Sequence, residues 1–537
     1  MPAFRLCVIL LLGGILLGSL HGAAPPVDSA KGQDRVESVL RLARRIDARI
    51  DAGLEMNKAV PAPLADDSEF IRRVYLDVIG RIPRVSEVRE FLADPRSDKR
   101  IRLVDRLLAS PNHASHFTHV WRDLLLPDTN NQQVQALAYQ VEPWLRSRLQ
   151  ANMPYNRLVR ELITARLAQT TNPPASTPAD RGALAFYQAN EMKPENLAAS
   201  TSRLFLGVKI ECAQCHDHPF ASWTRKQFWE YAAFFAGVRP VNPNQGVFGL
   251  VSDDPRVHEI AMPGTERKVQ ARFLDGQAPA WTDKLGARQA LADWMVSPSN
   301  PFFARAAANR LWEHFLGTGL VDPVDDFREE NPASHPELVE DLAQALVDSG
   351  YDLRFLMRAI LATRTYQRSS RRTDPSQEEL RVFARMPLRS LTSEQVFDSL
   401  ATAVGYRGDT GAQRFNLAIN TPRGEIQSRF ANPVDRRTEF QMSILQALAL
   451  MNGRFIGDAT SLERSETLAA VIDSPFLSSR DKLDTLFLAA LARPMRGSEV
   501  GRLVPYVEAG GPSRNPARAL ADVFWVLLNS SEFILNH

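Results

Sequence analysis

Apolar residues recur at helical spacing along most of this chain. Val36, Val39, Leu40, Ala43, Ile46 and Ile50 form one stripe, with arginines and aspartates on the opposite face. The same period predicts helices over Ser86–Leu92, Ile101–Leu108, Ser115–Leu126, Val134–Asn152 and Asn156–Leu167. Pro95, Pro111, Pro127 and Pro154 stand at the joints, where a missing N–H and a fixed φ start or stop helices. Gln169–Asp180 carries three prolines and no apolar period, so it is expected to be a loop or linker. Pro194–Gly207 predicts another helix, with Leu197, Thr201, Leu204, Phe205 and Val208 on one stripe and Gly207 at its end. Thr224-x-x-Gln227 has the form of a capping box and opens a helix with Phe228, Tyr231, Ala232 and Phe235 on one face.

The helical period breaks between Arg239 and Ala280. Short runs there predict a small β-containing insert, with Val247–Val251 and Val269–Phe273 as its pair of strands. Helices resume near Lys284 and dominate to the end, and no repeat of fixed period is present. The expected architecture is mainly α, with two large helical domains and a small insert between them. Its expected parts are a leader and first helix over 25–59, a helical domain over 60–237, the insert over 238–282 and a C-terminal helical domain over 283–537.

At 537 residues the chain exceeds what one hydrophobic core usually supports. Its 64 basic and 62 acidic residues leave a net charge of +2, which argues against nucleic acid as a partner. The N-terminus changes the picture more. Arg5 precedes an apolar, glycine-containing run over Leu6–Leu20, and small residues follow near Ala23 and Ala24. That order is expected of a secretory signal over residues 1–24, placing the mature protein in the periplasm or cell envelope. The run is shorter than the about 20 residues a membrane span needs, so membrane contact would come only through an uncleaved signal. Removing the signal removes Cys7 and leaves two cysteines, Cys212 and Cys215, too close together to staple a fold of this size.

Those cysteines belong to Cys212-Ala-Gln-Cys215-His216, the pattern of covalent haem c attachment. In that chemistry two thiols add across the haem vinyl groups and the adjacent imidazole ligates the iron. Cys212, Cys215 and His216 are therefore the candidate cofactor-binding residues. Two other readings stay open. Cys212, Cys215, His216 and His218 are a complete ligand set for zinc or another metal ion, and Cys212–Cys215 alone would make a structural or redox disulfide. Met192, His258 and Met262 are the nearest residues in sequence that offer a distal haem ligand, and none is assigned. His113, His116 and His119 fall near one helical face, read as polar surface before metal site. Asp325, Asp326, Glu329, Glu330 and His335 form an acidic cluster, read as surface charge and helix capping before acid–base catalysis.

Longer stretches resemble a known pair of domains. Asp67-Ser-Glu-Phe-Ile-Arg-Arg-Val-Tyr-Leu-Asp77, Gly80-Arg-Ile-Pro83 and Cys212-Ala-Gln-Cys-His-Asp-His-Pro-Phe220 resemble a planctomycete cytochrome-like domain, domain of unknown function 1549. Asn309-Arg-Leu-Trp312, Gly317-Thr-Gly-Leu-Val321, His335-Pro-Glu-Leu338, Leu391-Thr-Ser-Glu-Gln395 and Asn529-Ser-Ser-Glu-Phe533 resemble its usual companion, domain 1553. The resemblance implies an exported protein with a cytochrome-like first domain, and it establishes no reaction. The leading expectation is a haem c protein of redox or electron-transfer function, with redox or envelope proteins as partners. The alternatives are an extracellular hydrolase or polysaccharide-related accessory using Asp325, Asp326 and His335, and an envelope scaffold protein.

Overall fold

A computed structural model describes residues 29–126, 132–167, 178–242, 244, 249–406, 408, 421–430, 438 and 443–537. The apolar leader expected to be a signal, and Cys7 within it, lie outside the described residues. The chain is mainly helical, with three small two-stranded antiparallel sheets among the described residues. No described helix is long and apolar enough to cross a membrane.

The first helices are α1 (Ser29–Met56), α2 (Asp67–Ile79), α3 (Val85–Ala93), α4 (Lys99–Ala109) and α5 (Pro111–Leu125). After them come α6 (Gln132–Gln150), α7 (Tyr155–Ile163), α8 (Pro178–Ala189) and α9 (Pro194–Thr201). Each expected helix is present, and most are longer than their apolar stripes because caps lie outside the stripe. Asp66 accepts the Glu69 N–H at 2.9 Å to start α2, and Gly80, at φ 75°, ends it. Of the expected linker over Gln169–Asp180, residues 169–177 lie outside the described residues and Pro178 already begins α8.

Beyond α10 (Arg225–Ala232) the insert is β-containing, as its composition predicts. Its strands are β1 (Val238–Pro240), β2 (Val251–Asp253), β3 (Glu259–Ala261) and β4 (Lys268–Gln270). The expected pairing of Val251 with the Val269 strand does not occur. Val251 lies opposite Pro240 and Val269 lies opposite Ile260, so two local hairpin-like pairs replace one distant pair. Closing a short loop costs less entropy than closing a long one, and strands of three residues offer little to offset the difference.

The chain continues through α11 (Ala287–Met295), α12 (Phe303–Leu316), α13 (Pro336–Asp348), α14 (Leu353–Leu361), α15 (Arg364–Gln367) and β5 (Arg389–Ser390). The last helices are α16 (Ser393–Val404), α17 (Pro422–Phe430), α18 (Ile444–Asn452), α19 (Arg454–Ala459) and α20 (Glu466–Ile472). They are followed by α21 (Ser479–Leu491), α22 (Gly497–Glu508), α23 (Pro516–Leu528), α24 (Ser531–Ile534) and β6 (Leu535–Asn536).

Among the described residues the buried side chains form two large clusters and a small third one of Val88, Leu488 and Ala492. One core runs from Val39 to Met386 and takes in Val251 and Val269 of the insert. The other runs from Leu391 to Ile534 and includes Leu76 and Ile82 from the α2 region. Helices α13 and α14 lie against α1 and so belong to the first cluster.

Helix α2 joins the two cores through charges that are fully buried. The Arg72 guanidinium donates to the carbonyls of Ala490 (3.0 Å) and Phe533 (2.6 Å). Arg73 donates to the carbonyls of Tyr366 (2.6 Å) and His537 (3.1 Å) and to the Glu69 carboxylate (2.6 Å). Asp77 accepts from the Tyr366 hydroxyl (2.8 Å), from Arg389 (2.9 Å) and from the Asn536 amide (2.7 Å). Arg389 and Asn536 are paired residues of β5 and β6, so that small sheet is bolted to α2 through Asp77.

Candidate functional site

The Cys212–His216 turn is held from both sides. Helix α9 loosens into a π-helical turn over Ser202–Leu206 and stops at Gly207, where φ is 67°. A Cβ on Gly207 would meet Phe327 at 2.8 Å, and the Phe327 N–H donates to the Gly207 carbonyl at 2.9 Å. Glu211–Gln214 then makes one turn of 3₁₀ helix, with Ala213 buried beneath it. On the far side, the predicted capping box is present. Thr224 accepts the Gln227 N–H, and the Gln227 side chain accepts the Thr224 N–H at 2.9 Å. From α10, the Trp229 indole N–H reaches back to the Gln214 carbonyl at 3.0 Å. Arg225 donates to the same carbonyl at 3.4 Å and also to the Pro263 carbonyl of the insert.

Cys212 and Cys215 are exposed and carry free thiols. The two histidines of the turn sit in opposite tautomers. The His216 Nδ1 faces the Asp217 carbonyl at 2.7 Å, and a carbonyl only accepts, so Nδ1 carries the proton and Nε2 presents its lone pair to solvent. The His218 Nδ1 instead accepts the Phe220 N–H at 3.1 Å, which leaves the proton on Nε2. His216 is thus ready to ligate through Nε2, while His218 is committed to the loop. Among the described residues, no group of three or more His, Cys, Asp or Glu is gathered to hold a metal ion. Phe220 is 71% exposed beside the turn.

The other sequence-read residues fall in different places. Asp325 pairs with Lys209 at 3.0 Å and with Arg203 at 3.8 Å, and Asp326 pairs with Arg328 at 3.1 Å. Arg328 in turn donates to the Phe220 carbonyl at 3.2 Å. These acids therefore fasten the second half of the chain behind the Cys212–His216 turn. Glu329 and Glu330 are exposed. His335 does not meet the acids in a cleft: it is buried against Gly53 and Phe383, with its Nδ1 at 3.1 Å from the Ser334 hydroxyl. Met192 and Met262 are buried, and His258 stacks on Trp281 with ring centres 4.4 Å apart.

The three histidines of α5 also separate. His113 is buried and its Nδ1 donates to the Val78 carbonyl at 3.1 Å. Burial pushes its pKa down to about 4. His116 lies buried under the Gly80 turn. His116 and His119 face a cavity of about 760 Å³, with Glu394 and Asp398 of α16 on its far wall. Sequence reading missed Glu394 and Asp398; their i, i+4 spacing on one helix was the available signal.

Residues 45–240 match the family model described as protein of unknown function DUF1549, and residues 287–423 match that described as protein of unknown function DUF1553. No curated protein and no solved structure matches the chain. With both models matched in the order that the Asp67–Asp77 and Cys212–Phe220 stretches, followed by Asn309–Trp312 and His335–Leu338, lead one to expect, the chain belongs to the proteins that carry DUF1549 and DUF1553 in tandem.

Proposed function

We propose that the Cys212–His216 turn is a haem c attachment site and that the protein serves redox or electron transfer in the periplasm or cell envelope. The observation that carries this reading is the pair of free, exposed thiols beside an imidazole whose Nε2 lone pair faces outward. This donor set fits the group. Cys212 and Cys215 would hold haem by thioether bonds and His216 would ligate from one side, while bound haem supplies one-electron chemistry.

The surrounding residues fix the turn. Trp229 and Arg225 pin the carbonyl of Gln214, the residue before Cys215, and the Asp217 carbonyl sets the His216 tautomer. The exposed Phe220 ring offers apolar surface beside the donors. Placement at the surface favours exchange with a protein partner over conversion of an enclosed substrate. The apolar Leu6–Leu20 leader supports export, which covalent haem attachment requires in bacteria.

The test is expression of the full chain in a host that matures c-type cytochromes, followed by a haem-stained denaturing gel. Stain should follow the wild-type band and vanish in Cys212→Ala/Cys215→Ala. A colourless wild-type band, from cells that mature a control cytochrome, would overturn the proposal.

A further inference from the structure

The cavity bounded by α5 and α16 is separate in composition from the Cys212–His216 turn. Its volume of about 760 Å³ falls within the range of about 300–1,000 Å³ usual for small-molecule sites. It also lies where the two cores meet, since α5 packs in the first and α16 in the second. One wall is a face of α5 carrying Asn112, Ser115 and His119; the other is a face of α16 carrying Glu394, Asp398 and Thr402, with Tyr406 just beyond the helix.

We propose that this cleft binds a neutral, polyhydroxylated ligand, an oligosaccharide, with Glu394 and Asp398 accepting from its hydroxyl groups and Tyr406 packing against a sugar ring.

The charges of the cleft select this class. Glu394 already accepts from Arg122 at 2.6 Å and from the Ser393 hydroxyl at 3.0 Å, and Asp398 is paired with Arg423 of α17. A cationic ligand would have to compete with guanidiniums in place. An anionic one would meet three carboxylates, Glu394, Asp398 and Glu466. The Arg122 charge is further divided with Glu142 (2.9 Å) and Asp123 (2.6 Å), and of the other guanidiniums lining the cavity Arg81 is held by Glu87 at 2.9 and 3.0 Å, which leaves the exposed Arg84. An apolar ligand would strip water from these groups and return no hydrogen bond. Hydroxyl groups suit what remains, because a paired carboxylate keeps acceptor lone pairs, Asn112 and Ser115 both donate and accept, and the Thr402 hydroxyl, which donates to the Asp398 carbonyl at 2.7 Å, still accepts.

His119 adds a neutral imidazole, since burial and then the Arg122 charge hold it below the usual histidine range. Tyr406 is 42% exposed and is braced edge-on by Phe397 at 6.3 Å and Phe455 at 5.2 Å. A ring fixed in this way presents a flat apolar surface to the C–H bonds of a sugar.

The test is titration calorimetry of the full chain with cellohexaose, maltohexaose and chitohexaose, and with spermine and tripolyphosphate as charged probes. At least one neutral hexasaccharide should bind. Tyr406→Ala and Thr402→Val should each weaken that binding, Tyr406→Ala by about tenfold or more, with both proteins folded at the titration temperature by circular dichroism. Asp398→Asn should do the same if it folds. The Cys212→Ala/Cys215→Ala protein should bind as wild type, so failure of the haem proposal leaves this one standing. The inference is overturned if no neutral hexasaccharide binds at millimolar concentration. It is equally overturned if binding survives Tyr406→Ala and Thr402→Val unchanged, or if a charged probe binds in preference.

Discussion

The His113 imidazole gives its Nδ1 proton to the Val78 carbonyl inside the first core, where no water helps it to hold a second proton. An unfolded histidine titrates near about 6.5, whereas burial holds this one down to about 4. Between those values the unfolded chain binds a proton that the folded chain refuses. Stability contributed by the neutral ring is therefore complete above about pH 6.5 and declines as the pH falls, by about 2 kcal/mol at pH 5. Urea unfolding at pH 7 and pH 5 should show wild type losing about that much more than His113→Gln. Equal losses in the two proteins would refute the assignment. At the same scale, α2 explains why Asp67–Asp77 reads as a family mark. A helical wheel would assign Arg72, Arg73 and Asp77 to a wet face, but all three are buried and spend their charge on distant carbonyls and side chains. Burial of paired charge leaves no periodic trace, so these roles were not legible in advance.

Among the elements, legibility follows locality. The Thr224–Gln227 box, the Gly207 stop and the helices of the first half were readable because their causes lie within a few residues. The five contiguous residues of the Cys212–His216 turn were readable for the same reason. The insert was readable as β-containing but not in its pairing, since three-residue strands carry too little pattern to choose partners. The meeting of the cleft's two walls was not readable: each wall carries its own local spacing of polar residues, but Arg122 of α5 and Glu394 of α16 are 272 positions apart, and neither helix hints at the other. Thr224 supplies a test at this scale. Its hydroxyl caps α10, whose Trp229 and Arg225 in turn hold the Gln214 carbonyl. Thr224→Ala should cost about 1 kcal/mol and speed amide hydrogen exchange over 211–218 more than in α2. Equal acceleration in the two segments on substitution would show that the cap does not brace the turn.

Across the whole molecule, two cores share one helix. Asp77 meets Arg389 and Asn536 on one side and Tyr366 on the other, with all four residues buried. Asp77→Asn leaves the Arg389 guanidinium buried without its counter-charge, a change that typically costs about 3–5 kcal/mol. Chemical denaturation followed by tryptophan fluorescence should show a loss of that size. A loss below about 1 kcal/mol would mean that the network is not what joins the cores. Because Arg72 and Arg73 also reach carbonyls 460 and 464 positions further along, the clasp acts as a timer. In a chain emerging N-terminus first from a ribosome, Arg73 of α2 can meet Glu69 at once and the Tyr366 and Ala490 carbonyls follow, but the last bonds of the clasp wait until residues 532–537 arrive. Until then it remains threadable and open to proteases, and a copy cut short before Glu532 never gains the bonds that would close it.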